Sequence, residues 1–428
     1  MTCTQQDSIA AQHFAVCSAS LRRDTLCKTF GESMTRTRIT CPAIPLALVF
    51  SLLAGVGFAA PCGGDFNAFL TATAQEARAS GLPDFAVDRF VEGARQDQAV
   101  LKADRSQRVF RKTFLDFSQS LISKNRIQNG AIYGQKYNEI FARAEADYGV
   151  SRGILLAFWA LETDFGAVQG DFNTRNAILT LAHDCRRPEI FQPQILAAIQ
   201  LTAMEGFDPS ATTGAWAGEI GMVQMLPKDI LERGVDGDGD GLITLKTSVP
   251  DAILSGASML SQHGWHAGEP WLQEVAVPET LDWSLSGLET ELSGLEWAAM
   301  GVSVRQGDLA DLPASLILPQ GRKGPAFIVY PNFKTLFEWN KSFTYVTTAA
   351  YFATRLEGTD PYDAGNPDPA LSVEEMMSLQ EKLAKRGYDV GKIDGILGAA
   401  TRPAIQTEQK RMGLPADAWP TLELLSAL

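Results

Sequence analysis

The sequence predicts a mainly α-helical protein of the α+β class, with a small β-element and a small helical unit at its C-terminus. Three observations carry this. Apolar residues recur every three or four positions through much of 66–201. Short alternating apolar runs, WAAMGVSV and AFIVY, fall between 275 and 330. A stretch at 357–371 then holds three prolines, two glycines and three aspartates without any period, and sets off the 57 residues from Ser372. The 428 residues are 45% hydrophobic and 20% charged, which is globular composition and excludes wholesale disorder. Lys and Arg number 37 against 50 Asp and Glu, a net charge of -13. A nucleic-acid footprint needs a basic surface, so no nucleic-acid partner is expected.

Residues 34–60 read MTRTRITCPAIPLALVFSLLAGVGFAA. Arg36 and Arg38 precede an apolar core from Leu46 to Phe58, with small residues at Gly57 and Ala59. This is the pattern of a secretory signal peptide cut after Ala59. A spanning anchor needs about 20 apolar residues, more than this core supplies without the flank at Pro42 and Pro45, so an uncleaved anchor is the less favoured alternative. The polar stretch 1–33 makes no sense ahead of a signal peptide, so translation is expected to start at Met34. Pro61 stands where a lipid-attachment motif before Cys62 wants a small residue. Cleavage leaves two cysteines, Cys62 and Cys185. In an exported chain they invite one disulfide, with two buried free thiols as the alternative.

Along the chain, Phe110, Phe114, Phe117 and Leu121 predict an amphipathic helix over 108–124. A second helix is expected over 137–150. Gly149 and Ser151 then punctuate before a third over 152–166. Helical texture returns over 332–356, and the unit from Ser372 is large enough for three short helices.

The third helix carries the clearest chemistry. Residues 154–161 are apolar on every side, so the segment is expected to be buried all round. It presents one carboxylate, Glu162, just before the stop at Gly166. Burial and the negative end of a helix both raise a carboxyl pKa. A Glu protonated near neutral pH is what a general acid for glycoside cleavage requires. The bland alternative is an exposed helix-end Glu with no role. Asp164 points elsewhere on a helix and is no partner carboxylate.

The run DGDGDGLITL offers a second signal. Asp236, Asp238, Asp240, Gly241, Leu242 and Ile243 follow the first eight positions of an EF-hand-type calcium loop. Thr247 stands where the closing Glu belongs, and Asp251 could supply that ligand. A structural Ca2+ is expected, against a solvated acidic turn. The histidines (His13, His183, His263 and His266) form no HExxH pair, so metal catalysis has no support. No cofactor is expected for the chemistry.

ALETDFG, GAWAGEIGMVQMLP, DGDGDGLITL and SMLSQHGWHAGEPW, in that order, resemble the lytic murein transglycosylases of the membrane-bound B type. The resemblance runs through about 65–356. It implies a lysozyme-like helical catalytic core over 60–357. It also implies cleavage of the β-1,4 bond between N-acetylmuramic acid and N-acetylglucosamine in peptidoglycan. Glu162 matches the family's single catalytic Glu. It would protonate the leaving oxygen, then act as base towards the muramoyl C6 hydroxyl, which closes a 1,6-anhydro ring without water. Gln224, Asn340 and Tyr345 match residues of the sugar groove. Arg186 and Arg187 resemble a pair suited to stem-peptide carboxylates, or are an ordinary helix-end charge pair. Ala215 departs from the Ser of some members. Glu219 is an added carboxylate that either binds substrate or forms a salt bridge.

The C-terminal stretch MSLQEKLAKRGYDVGKIDGILGAATRPAIQ resembles the widespread peptidoglycan-binding module. Leu379, Leu383 and Gly387 give one helix and its stop, and Thr401 is expected to cap the next. So small a core leaves no room for a catalytic cavity, so wall anchoring is its implied role. The expected order is therefore upstream extension and signal peptide (1–59), catalytic domain (60–357), linker (358–371) and binding domain (372–428). The resemblance implies a periplasmic enzyme, expected as a monomer, with glycan strands as partner and room for cell-wall synthesis or secretion partners. Two other readings stay open. One is a hydrolytic muramidase using Glu219 or Asp229 as second carboxylate, and the other a non-catalytic wall-binding scaffold.

Overall fold

The computed structural model describes residues 60–106, 112–305 and 307–428. The signal peptide and the Met34 start lie outside the described residues. The chain opens with helices α1 (Phe66–Ala79), α2 (Asp84–Val91) and α3 (Gln98–Arg105), the first and third capped by the side chains of Asp65 and Asp97. Where one helix was predicted over 108–124, the described part is broken. Thr113 caps α4 (Phe114–Leu121), and Ser123 caps α5 (Lys124–Lys136). Hydroxyl side chains satisfy the free amides of a helix start, and here they outweigh the continuous apolar period. Phe114 and Phe117 are buried as that period requires, whereas Phe110 lies outside the described residues.

α6 (Asn138–Tyr148) leads into α7 (Arg152–Thr163), capped by Ser151. Every residue from Gly153 to Ala160 is buried, so α7 is the central helix. It ends three residues before the predicted stop, because Asp164 and Phe165 both turn left-handed, at φ 51° and 60°. Next come β1 (Phe172–Asn173), α8 (Thr174–His183), α9 (Pro188–Ala203) and β2 (Thr213–Gly214), with β1 and β2 paired antiparallel. α10 (Pro227–Arg233) and α11 (Val249–Gln262) complete the first helical layer. Cys62 and Cys185 form a disulfide that ties the start of the described chain to the end of α8.

The β-element is a five-stranded antiparallel sheet of β3 (Leu272–Ala276), β4 (Leu292–Ser293), β5 (Ser303–Val304), β6 (Pro313–Ile317) and β7 (Phe327–Val329), in the order β4-β6-β7-β3-β5. Its two faces serve two cores. Ile317, Phe327 and Val329 join the helical core, while Leu316 and Ile328 alternate to the other side and cover Trp297. Only the last two residues of the run WAAMGVSV are strand. Its first residues belong to α12 (Gly294–Ala299), which a Ser293–Glu296 capping box starts.

The predicted helical stretch 332–356 is two helices, α13 (Pro331–Trp339) and α14 (Phe343–Leu356). Asn340 leaves the helical conformation, its Oδ1 accepts from Ser342 N, and Ser342 caps α14. α14 packs along α7. Gly153 permits the close approach, since a Cβ there would meet the Ala353 carbonyl at 2.7 Å. The linker has no helix or strand. It is nonetheless held, with Tyr362 packed on Phe114 and Tyr351 and its hydroxyl bonded to Ser118. α15 (Val373–Lys385), α16 (Thr401–Arg411) and α17 (Leu422–Ala427) form the last unit, around Leu379, Leu383, Ile405 and Leu424. Thr401 is not the cap of α16. Ala400 holds that place, and the Thr401 hydroxyl donates to the Val390 carbonyl. The unit has its own core but belongs to one compact body with the rest of the described chain.

Candidate active site

The end of α7 delivers Glu162 to the floor of a cleft of about 360 Å³. Two other elements meet it there. Trp339, the last residue of α13, donates from Nε1 to Glu162 Oε1 at 3.1 Å. The Tyr345 hydroxyl, in the first turn of α14, donates to the same oxygen. Trp339 is held by stacking on Phe158, with ring centroids 4.1 Å apart and planes 11° off parallel. Glu162 Oε2 has no hydrogen-bond partner among the described residues and is not sealed from solvent. With two donors occupying Oε1, the carboxyl proton belongs on Oε2, facing the cleft.

Burial lifts the Glu162 pKa to about 7, and the nearby Glu219 adds a smaller push upward. The Tyr345 and Trp339 donors favour the carboxylate and pull the other way. The group is therefore poised to hold or release a proton near neutrality. Removing one of those donors has a definite sign: in Tyr345→Phe the Glu162 pKa rises further. A carboxyl 13C NMR titration beside the wild type reads this directly.

Gln224, Asn340 and Glu219 line the cleft, with Trp216, Asp229 and Glu338. Gln224 sits at φ 53°, and its amide donates to the Gly221 carbonyl at 2.7 Å. Asn340 turns its Oδ1 back to Ser342 N. Glu219 makes no ion pair among the described residues, which corrects the salt-bridge expectation. Its Oε2 is buried without a partner, and burial raises its pKa. The nearby Arg187 is engaged elsewhere: it and Arg186 both bond the carboxylate of Asp104, whose side chain is 1% exposed. Neither arginine lines the cleft. Asp229 is paired with Arg233 at 2.9 Å. Trp339 and Trp216 escaped the sequence reading. Trp339 stood beside Asn340 in the motif, but only the break after α13 aims it at Glu162. A larger groove of about 430 Å³, lined by Glu274, Arg305 and Glu357, shares no residue with the cleft. Burial raises the pKa of both its glutamates, and each accepts a backbone amide, Glu274 from Asp363 and Glu357 from Gly153.

In the acidic loop, carboxylate oxygens of Asp236, Asp238 and Asp251 lie within 4.8 Å of one another. Asp251 closes the set, as its position beyond Thr247 suggested. It is fully buried and accepts from Gly237 N and Thr244 N, which braces both ends of the loop. Asp240 stands outside the group, its Oδ1 taken by the amide of Leu242. Three convergent carboxylates in a tight loop are a hard-oxygen donor set that fits calcium.

Residues 65–354 match the family described as transglycosylase SLT domain, and residues 372–428 match a peptidoglycan binding domain. Membrane-bound lytic murein transglycosylase B of Escherichia coli K12 is 30% identical over 236 residues, 54% of this chain. The match spans 64% of that relative, slightly under two thirds of its length. Among solved structures, SltB3 of Pseudomonas aeruginosa in complex with NAG-anhNAM-pentapeptide is 35% identical, with a TM-score of 0.78 over 85% of this chain and 99% of that one. Escherichia coli lytic transglycosylase Slt35 in complex with calcium is 25% identical, with a TM-score of 0.58 over 70% of this chain and 96% of that one.

Proposed function

Because the chain belongs to the transglycosylase SLT domain family, we propose that it is an exported, periplasmic lytic transglycosylase. It cleaves the bond between N-acetylmuramic acid and N-acetylglucosamine in peptidoglycan to leave 1,6-anhydro ends. The observation that carries this reading is the asymmetry of Glu162, with both protein donors on Oε1 and a bare Oε2 towards the cleft. Oε2 gives its proton to the leaving glycosidic oxygen as the C1–O bond breaks. The carboxylate left behind, stabilised by Trp339 and Tyr345, then takes the proton of the muramoyl C6 hydroxyl as that oxygen bonds to C1. The proton count closes with Glu162 protonated again and no water consumed. An internal nucleophile needs no second base, and Asp229 is tied to Arg233. The anhydro sugar of the NAG-anhNAM-pentapeptide in the SltB3 complex is the product class expected here. Mass spectrometry of peptidoglycan digests tests the reading. Muropeptides lighter by one water support it, and ordinary reducing ends would establish hydrolysis instead.

The acidic loop is proposed to hold a structural Ca2+ through Asp236, Asp238 and Asp251, away from the chemistry. Calcium at about a hundred times its Kd should add about 2.7 kcal/mol of stability. Calcium should therefore raise the melting temperature by several degrees over the protein in chelator. Asp238→Asn should remove that gain while leaving kcat unchanged. A melting temperature indifferent to calcium would make the loop a solvated turn.

A further inference from the structure

The C-terminal unit is not suspended on a loose tether. Asp417 Oδ2 accepts the Arg322 amide at 3.0 Å, and the Gln406 side chain donates to the Ser286 carbonyl at 2.7 Å. Gly321 lies so close to Trp419 that a Cβ would stand 2.6 Å from the Trp419 Cβ. The Trp419 indole donates to the carbonyl of Asp368 in the linker, and Lys323 pairs with the Asp368 carboxylate at 2.7 Å. At the centre is Arg402, on the first turn of α16. Its guanidinium donates to the carbonyls of Leu318 and Pro319 at 3.2 and 2.6 Å. Its Cζ lies over the Phe343 ring, 4.5 Å from the centroid. Burial lowers the Arg402 pKa to about 10, so it remains charged at neutral pH.

Phe343 is the first residue of α14 and is buried. Two residues on, Tyr345 bonds Glu162. Positions two apart on a helix are about 200° apart around its axis. The same turn is thus gripped from one side by the C-terminal unit and presents Tyr345 on the other. Just before it lies the irregular segment Asn340–Ser342, which ties α14 to Trp339. The turn is capped by Ser342 and packed on α7, with Tyr345 stacked on Phe158. The half-buried Arg402 cation on its leading aromatic is the restraint that reaches it from the C-terminal side.

We propose that Arg402 is a positioning residue for the acid/base group: by clamping Phe343 it holds the first turn of α14, and so Tyr345, in register with Glu162. The C-terminal unit then shapes catalysis in addition to any affinity for the wall. The proposal rests on the transglycosylase reading for its kinetic consequence, but its structural core does not.

The test uses the full mature chain and its Arg402→Met, Arg402→Lys, Tyr345→Phe and Arg402→Met/Tyr345→Phe variants. Soluble glycan oligomers are the substrate, since wall anchoring gives no advantage on them. Arg402→Met should lower kcat roughly ten-fold with KM changed less than about two-fold, a size typical of disturbed acid/base geometry. It should also raise the Glu162 pKa, as Tyr345→Phe does, and the double variant should be no worse than Tyr345→Phe alone. Arg402→Lys keeps the charge and should recover part of the loss. The carboxyl 13C titration needs no substrate, so it reports on Arg402 even if the wild type proves inactive on glycans, which would sink the functional reading alone. An Arg402→Met protein with wild-type kcat and an unmoved Glu162 titration overturns the proposal. A lower melting temperature or weaker wall binding without those two changes overturns it equally.

Discussion

Glu162→Gln should abolish glycan cleavage, by about a thousand-fold or more, while the protein folds and still binds peptidoglycan. Loss of a positioned acid or base costs typically about 10²- to 10⁴-fold, and the proposed mechanism asks one group to perform both steps. The amide is isosteric, and its carbonyl can still accept from Trp339 and Tyr345, so the local packing is preserved. What disappears is the transferable proton on the atom facing the cleft. The pH profile of the wild type follows from the same group. The first step needs protonated Glu162, so kcat/KM should fall as pH rises through about 7. Stability should move in the opposite sense in the variant. A carboxyl of ordinary acidity, about 4.5, in the unfolded chain and about 7 in the fold makes ionisation oppose folding, so wild-type stability declines as pH rises through that window. Glu162→Gln removes the decline and should melt higher than wild type at pH 8, with little difference at pH 4. A variant that is inactive but no more stable at high pH would mean that Glu162 is not buried against its charge. Retained activity would move the acid to another residue.

How much of this was legible in the sequence differs from element to element, for physical reasons. α7 was legible as a buried helix from its unbroken apolar run, but the run alone left Glu162 open to an exposed helix-end role. It is the burial and raised pKa in the fold that exclude that alternative. The clustering of carboxylates in the acidic loop was partly legible because their spacing is local: Asp251 lies with Asp236 and Asp238, whereas Asp240, expected with them, stands apart. The errors share a cause. Thr113, Ser123 and Ser342 each start a helix where apolar periodicity read straight through, since a cap acts over three residues and leaves the period intact. The Ser293–Glu296 capping box was a local signal in plain view that would have turned the first three residues of WAAMGVSV into α12. Arg186 and Arg187 could not be placed from sequence, because their partner Asp104 lies more than eighty positions upstream. The same holds for Arg402 on Phe343, where nothing local shows that a distant unit closes on the helix carrying Tyr345.

The second large effect is expected from the disulfide. Opening Cys62–Cys185 by Cys62→Ser/Cys185→Ser should cost about 2–4 kcal/mol of stability, seen as a fall of several degrees in melting temperature. The bridge closes a loop of sequence separation 123, so most of its effect is to restrict the unfolded chain. In the folded protein the same segment is also held by hydrogen bonds, from Gly63 N to the His183 carbonyl and from the Gln192 side chain to the Ala60 carbonyl. The double variant should therefore keep its native geometry at 25 °C. Glu162, Trp339 and Tyr345 lie on α7, α13 and α14, none of which carries a cysteine. Wild-type kcat with a lowered melting temperature is the expected pair of results. Reductant should reproduce the fall in the wild type and leave the double variant unchanged. Loss of kcat in the folded variant would show instead that the bridge shapes the cleft, through α8 and the β1–β2 ribbon that supports the Glu219 loop. That outcome would make activity itself depend on an oxidising compartment.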